Sequence, residues 1–480
     1  MEYTKNSKIE LNIIDITKDG LGIAKYDEKV FFVKNALIGD VVDATITKVN
    51  KNVIYAKTDN IIKKSNFRVD DLCNVSKRCG GCQFLSLDYK QQLDIKKNYV
   101  VNCLKKIGKF EFLPYDSIIG MDYPYYYRNK MQVPFSIKNN TIVYGFYANR
   151  THDIVEFDVC KVGFKNSNIV LDIIKDALNK YEISIYNEKT KTGIFREVLM
   201  RHANNTNNVS LTYVLNDKNY KKHINIYKKF DDYIVNNLNS NLPNENIDIV
   251  TSTLNINTLN NNVILSNNNV TLRGCGYIED YIKTTKYHIS PESFYQINMK
   301  MTEKLYDKIV DFGNFNNENV VLDLYCGIGT ISIYIANVIK YVIGVECVNK
   351  AIENANANLA LNNLKNATFI CSDVNETLYN NICDILVKKE KYIGQKNIDT
   401  IIVDPPRKGL DKSAIKLIHM FSSKQIIYVS CDPATLARDL YILCNGEVNK
   451  SYEIVKVSNV DMFPHTMHIE TIVLLQKKEN

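Results

Sequence analysis

The sequence predicts a multidomain α/β protein with a small β-barrel, a central α+β domain and a carboxy-terminal domain built on a parallel sheet. The 480 residues exceed the length of one typical core, and this length favours about three domains. Residues 8–58 alternate like short strands separated by glycine turns. The last third of the chain alternates buried-strand and helix patterns, as parallel sheets do. We place the domains at 1–62, 63–285 and 286–480.

The composition indicates a soluble protein with a mildly basic surface. The formal net charge is +7, which suits a polyanionic partner without demonstrating one. The amino terminus has no apolar segment of signal-peptide type, and no apolar run reaches the length that spans a bilayer. We therefore expect a cytoplasmic protein with no membrane partner, and we infer no obligate protein partner.

The amino-terminal barrel carries a basic fringe. Its strands are separated by a turn at residues 20–22, and small barrels of the OB type commonly bind nucleic acid. A solvated lysine-rich surface is an equally good interpretation of the fringe by itself. The lysines concerned are Lys48, Lys51, Lys63 and Lys64.

Three cysteines within ten residues indicate a metal site. Cys73, Cys79 and Cys82 are too close to remain stable as unpaired thiolates unless a cation neutralises them. We choose Cys160 as the fourth ligand, since Cys103 lies in a predicted helix among core residues. Zinc usually takes two pairs of closely spaced ligands, and the second pair is missing here. An iron–sulfur cluster fits the spacing better.

Other polar stretches give weaker signals. Residues 123–131 mix tyrosines with Arg128 and Lys130, which suits either base stacking on RNA or an ordinary strand edge. Residues 216–269 are rich in Asn and Lys, and we assign them no chemistry and expect some long surface loops. We interpret three asparagines at four-residue spacing as the polar face of a helix: Asn354, Asn358 and Asn362.

The sequence of the last domain predicts a binding site for a ligand that contains a nucleoside. A buried strand breaks into a turn with Gly327 and Gly329, where a ligand can approach the backbone. Glu346 ends the next strand and can accept hydrogen bonds from two ribose hydroxyls. Asp373 follows the third strand. This pattern favours S-adenosylmethionine over NAD.

Two further strands end in residues suited to catalysis. Residues 401–409 and 426–433 are apolar runs that stop at prolines, and strand ends of one parallel sheet share a crevice. Asp404 and Cys431 should face this crevice. Enzymes that methylate exocyclic amines typically carry an aromatic residue after Asp-Pro-Pro, where this chain has Arg407. Methylation of a ring carbon, with the thiol as nucleophile, fits better, although a free cysteine is often only a small core residue.

Carbon methylation also requires a base that removes the ring proton. Glu470 begins an apolar strand and is our candidate. His465 and His468 could also serve. Their spacing resembles a metal pair, but no third ligand lies nearby in the sequence.

Several motifs together resemble a known family. Residues 404–409, 430–439 and 468–471 resemble the corresponding motifs of RNA uracil-C5 methyltransferases. Residues 20–22 and 32–40 resemble the TRAM domain, an RNA-binding barrel of OB-like shape. The resemblance covers nearly the whole chain and is weakest at 216–269.

The resemblance implies a Rossmann-like, S-adenosylmethionine-dependent methyltransferase domain at the carboxy terminus. A TRAM barrel together with clustered cysteines is similar to the 23S ribosomal RNA branch, which carries a 4Fe-4S cluster. The implied activity is methylation of C5 of a specific uridine in 23S ribosomal RNA, giving 5-methyluridine. Three alternatives stay open: a transfer RNA uridine, cytosine C5, or a non-catalytic iron–sulfur scaffold that binds RNA.

The resemblance also implies roles for individual residues. Cys431 would be the nucleophile and Glu470 the base. The cluster ligands would be Cys73, Cys79, Cys82 and Cys160. The pocket for S-adenosylmethionine and the target base would be lined by Gln296, Tyr325, Glu346, Asp373 and Asp404.

Overall fold

The computed structural model describes residues 3–148, 151–241, 247–259, 263–394, 397–445 and 452–478. The chain divides into two compact units. The first comprises the described residues of Met1–Asn98, Gly145–Lys161 and Phe463–His468, and the second those of Tyr99–Tyr144, Val162–Met462 and Ile469–Asn480.

The strands, in chain order, are β1 (Lys8–Asn12), β2 (Asp15–Ile16), β3 (Gly22–Tyr26), β4 (Lys29–Lys34), β5 (Val41–Val49), β6 (Val53–Lys63), β7 (Tyr115–Ile119), β8 (Lys130–Lys138), β9 (Thr141–Tyr147), β10 (Ile154–Glu156), β11 (Phe195–His202), β12 (Asn208–Leu215), β13 (Asp248–Ile256), β14 (Asn269–Arg273), β15 (Ile278–Ile282), β16 (Thr285–Ile289), β17 (Val320–Leu324), β18 (Tyr341–Glu346), β19 (Ala367–Cys371), β20 (Thr400–Val403), β21 (Gln425–Ser430), β22 (Tyr452–Val460) and β23 (Glu470–Lys477). The helices are α1 (Tyr89–Lys106), α2 (Ser167–Lys180), α3 (Tyr220–Asn241), α4 (Met299–Gly313), α5 (Thr330–Ala336), α6 (Asn349–Leu361), α7 (Leu378–Ile393), α8 (Lys412–Phe421) and α9 (Pro433–Asn445).

The amino-terminal strands of the first unit form one sheet in the order β1-β5-β6-β4-β3-β2. Alternate side chains such as Phe31, Val33 and Ala44 are fully buried, as the period-two pattern predicts. The buried carboxylate of Asp40 accepts hydrogen bonds from Arg68 Nε at 2.8 Å and Nη2 at 2.6 Å. This ion pair ties the chain that follows β6 to the turn before β5.

The structure assigns regular elements to most of residues 216–269, and a connection at 257–268 separates β13 from β14, in line with the expectation of some loops. This stretch contains α3, β13 and the start of β14, while residues 242–246 and 260–262 lie outside the described residues. Helix α3 buries Tyr227, Phe230 and Ile234, which recur at helical spacing. The abundant Asn and Lys residues between them mask this periodicity in the sequence. In the second unit, β13 lies between β12 and β14 in the sheet.

The second unit also contains the predicted parallel sheet, and its described strands run in the order β19-β18-β17-β20-β21-β23-β22-β7. The pairs from β19 to β21 are parallel, and β23 inserts antiparallel beside β21. Strands β17 and β20 are buried along their whole length, which explains their uninterrupted apolar sequences. The carboxyl ends of β17, β18, β20 and β21 meet the start of β23 at one edge, where the candidate site lies.

Candidate active site

Strand register brings the candidate nucleophile and base together. Ser430, the last residue of β21, pairs with Thr471 of the antiparallel β23. Cys431, which follows Ser430, and Glu470, which precedes Thr471, are therefore neighbours at the sheet edge. Asp404 follows β20, which pairs with β21 through Val403. Cys431 is partly exposed, whereas Glu470 is buried. A substrate can therefore reach the thiol while the carboxyl group stays shielded from water.

The electrostatics of these groups show that they share one site. Burial raises the pKa of Glu470 well above its usual range, and the neighbouring Asp404 raises it further. Burial raises the pKa of Asp404 to about 7. The pKa of the Cys431 thiol rises to about 12 because of burial and then because of Glu470 and Asp404, while Arg407 opposes this rise. This environment favours the protonated thiol at neutral pH.

This environment predicts how Cys431 reacts with iodoacetamide. Only the thiolate is alkylated, so the rate should rise about tenfold per pH unit from pH 7 to pH 10 without reaching a plateau. In Glu470→Gln the negative neighbour is removed, and the thiol should titrate at lower pH and label faster at pH 8. Peptide mass spectrometry measures both rates. Glu453→Gln, an exposed position on β22, is the matched control and should leave the curve unchanged.

Helix α9 holds the loop that follows Asp404. Buried Asp439 accepts hydrogen bonds from the Leu410 amide and from the Tyr428 hydroxyl, each at 2.7 Å. Gly409 has φ of +75°, and a Cβ there would collide with the Asp439 carboxylate. Arg438 Nη2 donates to the Lys408 carbonyl at 2.9 Å. The motif around Cys431 thus also fixes the Asp404 loop, a role that sequence reasoning missed for Arg438 and Asp439.

The carboxyl ends of β17 and β18, at the same edge of the sheet, can accommodate a ligand with hydroxyl and amino groups. Glu346 Oε2 accepts a hydrogen bond from the Gly327 amide at 3.2 Å, and a Cβ at Gly327 would meet open space. Ser332 Oγ donates to Asp323 Oδ2 at 2.5 Å, but the buried Asp323 Oδ1 has no partner among the described residues. Burial raises the pKa of Asp323 to about 7. Sequence reasoning did not select Asp323, because its position inside β17 made it look like part of the core.

Of the remaining predicted pocket residues, Tyr325 and Asp373 follow strands of the same sheet, whereas Gln296 precedes helix α4. Gln296 is buried, and its backbone carbonyl oxygen accepts a hydrogen bond from Asn129 Nδ2 at 2.9 Å. Tyr325 directly follows β17 with φ of +69°, a conformation that costs energy for a residue with a Cβ. Asp373 lies beyond the end of β19 and is exposed.

The three asparagines of α6 and its C-cap are more than a solvated polar face, which corrects that interpretation. Asn358 is fully buried, and its Oδ1 accepts a hydrogen bond from the His288 amide at 2.8 Å. Asn362 bonds both backbone groups of Lys286, at 2.9 and 2.8 Å. Asn354 Nδ2 donates to Ser293 Oγ at 3.1 Å. The asparagines fasten α6 to β16 and to the loop that leads to Gln296.

The two histidines near Glu470 in the sequence belong to the first unit. His465 is buried with φ of +65°. Its amide donates to Gln92 Oε1 at 2.9 Å, and its Nδ1 lies 3.2 Å from Gln92 Nε2. His468 is exposed. The contacts of His465 are those of a structural residue.

The four cysteines predicted to hold a cluster all belong to the first unit. Each is partly exposed: Cys73, Cys79, Cys82 and Cys160. Burial raises the pKa of Cys73, and Asp71 and Cys160 raise it further, so Cys73 and Cys160 are near one another. Nevertheless, no group of three or more His, Cys, Asp or Glu side chains in the described ranges converges closely enough to hold a metal ion. The thiols therefore fit a metal centre only in part. Cys103 is buried in α1, as predicted.

Comparisons with known proteins identify the family. A family model described as tRNA (uracil-5-)-methyltransferase matches residues 88–478. The chain belongs to this family. A TRAM domain model matches residues 3–58, which confirms the predicted barrel type.

Relatives extend the similarity over the whole chain. The chain is 38% identical to an uncharacterized RNA methyltransferase of Staphylococcus epidermidis over 100% of both chains. It is 40% identical to one of Clostridium acetobutylicum over 98% of both. The Pyrococcus abyssi tRNA (uracil-54, C5)-methyltransferase, solved in complex with S-adenosyl-L-homocysteine, matches with a TM-score of 0.72 and 25% identity, covering 97% of this chain and 100% of that one.

Family membership establishes the activity at a coarse level. The protein is an enzyme that uses S-adenosylmethionine to methylate carbon 5 of uracil in RNA. The predictions of an S-adenosylmethionine cofactor, an RNA partner and a multidomain α/β methyltransferase fold are confirmed. Within the described part of the chain, no helix combines the length and apolarity needed to cross a membrane.

Proposed function

We propose that this methyltransferase acts on a specific uridine of 23S ribosomal RNA, with Cys431 as nucleophile and Glu470 as base. The observation that carries the proposal is the register of β21 and β23, which makes the thiol and the buried carboxyl group neighbours. The negative charges of Glu470 and Asp404, which raise the pKa of Cys431, support the same pairing. A TRAM barrel followed by clustered cysteines supports the ribosomal branch.

The proposed pocket for S-adenosylmethionine uses the strand ends of the second unit. Glu346 is suited to the ribose hydroxyls, and the unpartnered Asp323 Oδ1 is suited to an amino group. The pocket would be completed, and the target base bordered, by Gln296, Tyr325 and Asp404. The exposed Asp373 would lie at the edge of this pocket. When bound, S-adenosylmethionine supplies an electrophilic methyl group on a positively charged sulfonium.

The mechanism follows from what these side chains can do. The target uridine must leave its stack, since C5 and C6 are inaccessible inside folded RNA. Cys431 loses its proton to solvent and its thiolate bonds to C6, while the electron pair of the C5–C6 double bond moves into the ring as enolate charge and makes C5 nucleophilic. Once C5 is methylated, Glu470 in its ionised form removes the remaining C5 proton. The electron pair then reforms the C5–C6 double bond and expels the Cys431 thiolate.

The raised pKa values of the acidic groups constrain this sequence of steps. Burial raises the pKa of both Glu470 and Asp404 and so favours their neutral forms. A positively charged group bound nearby lowers the pKa of both carboxyl groups and of the thiol. A positively charged substrate is therefore expected to favour the ionised forms that the proposed steps require.

The RNA substrate is tested by mapping 5-methyluridine in a strain that lacks the gene. We expect the modification to disappear from 23S ribosomal RNA and to return when the gene is restored. Loss from transfer RNA instead would favour the alternative substrate, which the description of the Pyrococcus relative and of the family supports. Mass analysis of the nucleoside separates 5-methyluridine from 5-methylcytidine. The same mapping shows how many uridines of the RNA are modified.

We further propose a 4Fe-4S cluster on Cys73, Cys79, Cys82 and Cys160. The proximity of Cys73 and Cys160 supports this assignment. Protein purified without oxygen should be brown and contain iron and sulfide. A colourless protein with stoichiometric zinc would refute the cluster. No step of the proposed mechanism uses this cluster.

A further inference from the structure

Two buried side chains at the ends of β8 and β11 are hydrogen-bonded to the loop that precedes α4. Arg201 lies on β11, and Asn129 directly precedes β8. The Arg201 Nη2 group donates to the Pro291 carbonyl at 3.3 Å and to the Ser293 carbonyl at 2.5 Å. Both side chains and the loop belong to the second unit. The central sheet is therefore bonded to the backbone that leads to Gln296.

Asn129 holds the other end of this loop. Its Nδ2 donates to the Gln296 carbonyl at 2.9 Å, and its backbone amide donates to the Ile297 carbonyl at 2.8 Å. The Asn129 carbonyl accepts a hydrogen bond from the His202 amide at 2.8 Å. Because His202 directly follows Arg201 on β11, the two residues that hold the loop are themselves fixed relative to each other.

We propose that Arg201 and Asn129 are positioning residues, which hold the loop at 291–297 so that the Gln296 side chain meets S-adenosylmethionine. The inference depends on the proposed function only for the place of Gln296 in the cofactor pocket. It gives the central sheet a part in cofactor binding, although neither residue lies in the last third of the chain.

The side-chain amide of Gln296 is available to a ligand. It forms no hydrogen bond with another described residue, and neither of its polar atoms is cut off from solvent. The position of this amide therefore follows from the backbone that Arg201 and Asn129 hold, because no hydrogen bond of its own fixes it. An amide offers both donors and an acceptor, which suits the polar groups of S-adenosylmethionine.

The burial of Arg201 is difficult to explain by stability alone. Its guanidinium forms no ion pair with another described residue, and its Nε has no hydrogen-bond partner among them. Burial lowers the pKa of Arg201 to about 10, so the group remains charged at pH 7. Burying such a charge is unfavourable, and an apolar side chain of similar volume is often at least as stable. Hydrogen bonds from a charged donor to the loop carbonyls are strong and directional, as a positioning role requires.

The test is calorimetric titration of the full-length protein with S-adenosyl-L-homocysteine in the absence of RNA. For Arg201→Met and for Gln296→Ala we expect roughly tenfold weaker binding each, the effect of one well-placed hydrogen bond. The double variant should also lose about tenfold rather than about a hundredfold, because both changes remove the same contact. A merely structural effect of Arg201 would be independent of Gln296, and the two losses would then multiply.

Asn129→Ala tests the same loop without removing a buried charge. It deletes the donor to the Gln296 carbonyl, so it should weaken binding in the same direction and show the same coupling to Gln296→Ala. Thermal unfolding of each variant shows whether the fold is intact. If Arg201→Met does not fold, Asn129→Ala decides the question.

Arg196→Met is the matched control. Arg196 also lies on β11, and its Nη1 donates to backbone carbonyls of a different connection, those of Asn257 at 3.3 Å and Leu259 at 3.4 Å. This variant should bind S-adenosyl-L-homocysteine like wild type, because it leaves the loop before α4 untouched.

Three results would overturn the inference: wild-type affinity in Gln296→Ala or in both loop variants, losses that multiply in the double variant, or an equal loss in the Arg196 control. Absence of 5-methyluridine from 23S ribosomal RNA would overturn the proposed function alone, because the titration contains no RNA.

Discussion

Replacing Cys431 with alanine is expected to abolish methylation while the protein still binds RNA. The thiol is the atom that would bond to C6, and without this bond C5 of uracil is too weak a nucleophile to accept a methyl group. Loss of a covalent nucleophile typically lowers kcat by a factor of about 10⁴ or more. Transfer of tritium from labelled S-adenosylmethionine into RNA measures turnover, and filter binding measures affinity.

The fold should tolerate this change, because Cys431 is partly exposed at a strand end. We expect a loss of stability below about 1 kcal/mol. Cys275→Ala serves as the matched control, since Cys275 is an exposed free thiol in the turn between β14 and β15, and it should keep full turnover. Substantial methylation by the Cys431 variant would eliminate this residue as nucleophile.

Replacing Glu470 with glutamine is expected to trap the enzyme on its RNA. Glutamine is nearly isosteric but cannot accept the C5 proton as a carboxylate does. The methylated adduct then cannot eliminate the thiol, and the bond between Cys431 and C6 persists. Removal of a general base commonly slows its step by about 10²- to 10⁴-fold, which is enough to accumulate the adduct.

A denaturing gel detects this species as a protein band shifted by the mass of the RNA. The band should carry tritium from labelled S-adenosylmethionine, because methyl transfer precedes the blocked step. The double variant Cys431→Ala/Glu470→Gln should give no shifted band. A Glu470→Gln enzyme that turns over normally would show that another group removes the proton.

The chemistry of the site could be predicted from short motifs because strand ends carry it. Asp404 and Cys431 each follow an apolar run of β-branched residues, and parallel strands place their carboxyl ends at a common edge. The structure brings these residues and Glu470 together at that edge. Their catalytic roles stay predictions until the variants are measured.

Other features of the site could not be predicted, because they depend on partners distant in the sequence. Asn358 looked like a solvated residue, yet it bonds the backbone of His288, 70 residues away. The sequence suggested no role for Asp439, yet its carboxylate accepts a hydrogen bond from the Leu410 amide and packs against Gly409, which holds that loop in place. A polar residue on a helix has the same sequence pattern whether it faces water or a neighbouring strand. Only the packing partner distinguishes the two cases.

The sequence by itself determined the α/β architecture, the barrel at the amino terminus and the choice of Cys431 and Glu470, because periodicity and strand-end motifs are local properties. The tertiary structure alone decided which groups become neighbours and how buried each one is. The pKa of Asp404, Glu470 and Cys431 is raised because folding removes them from water and sets like charges side by side. Desolvation and charge proximity depend on three-dimensional distance, which the order of residues along a chain does not contain.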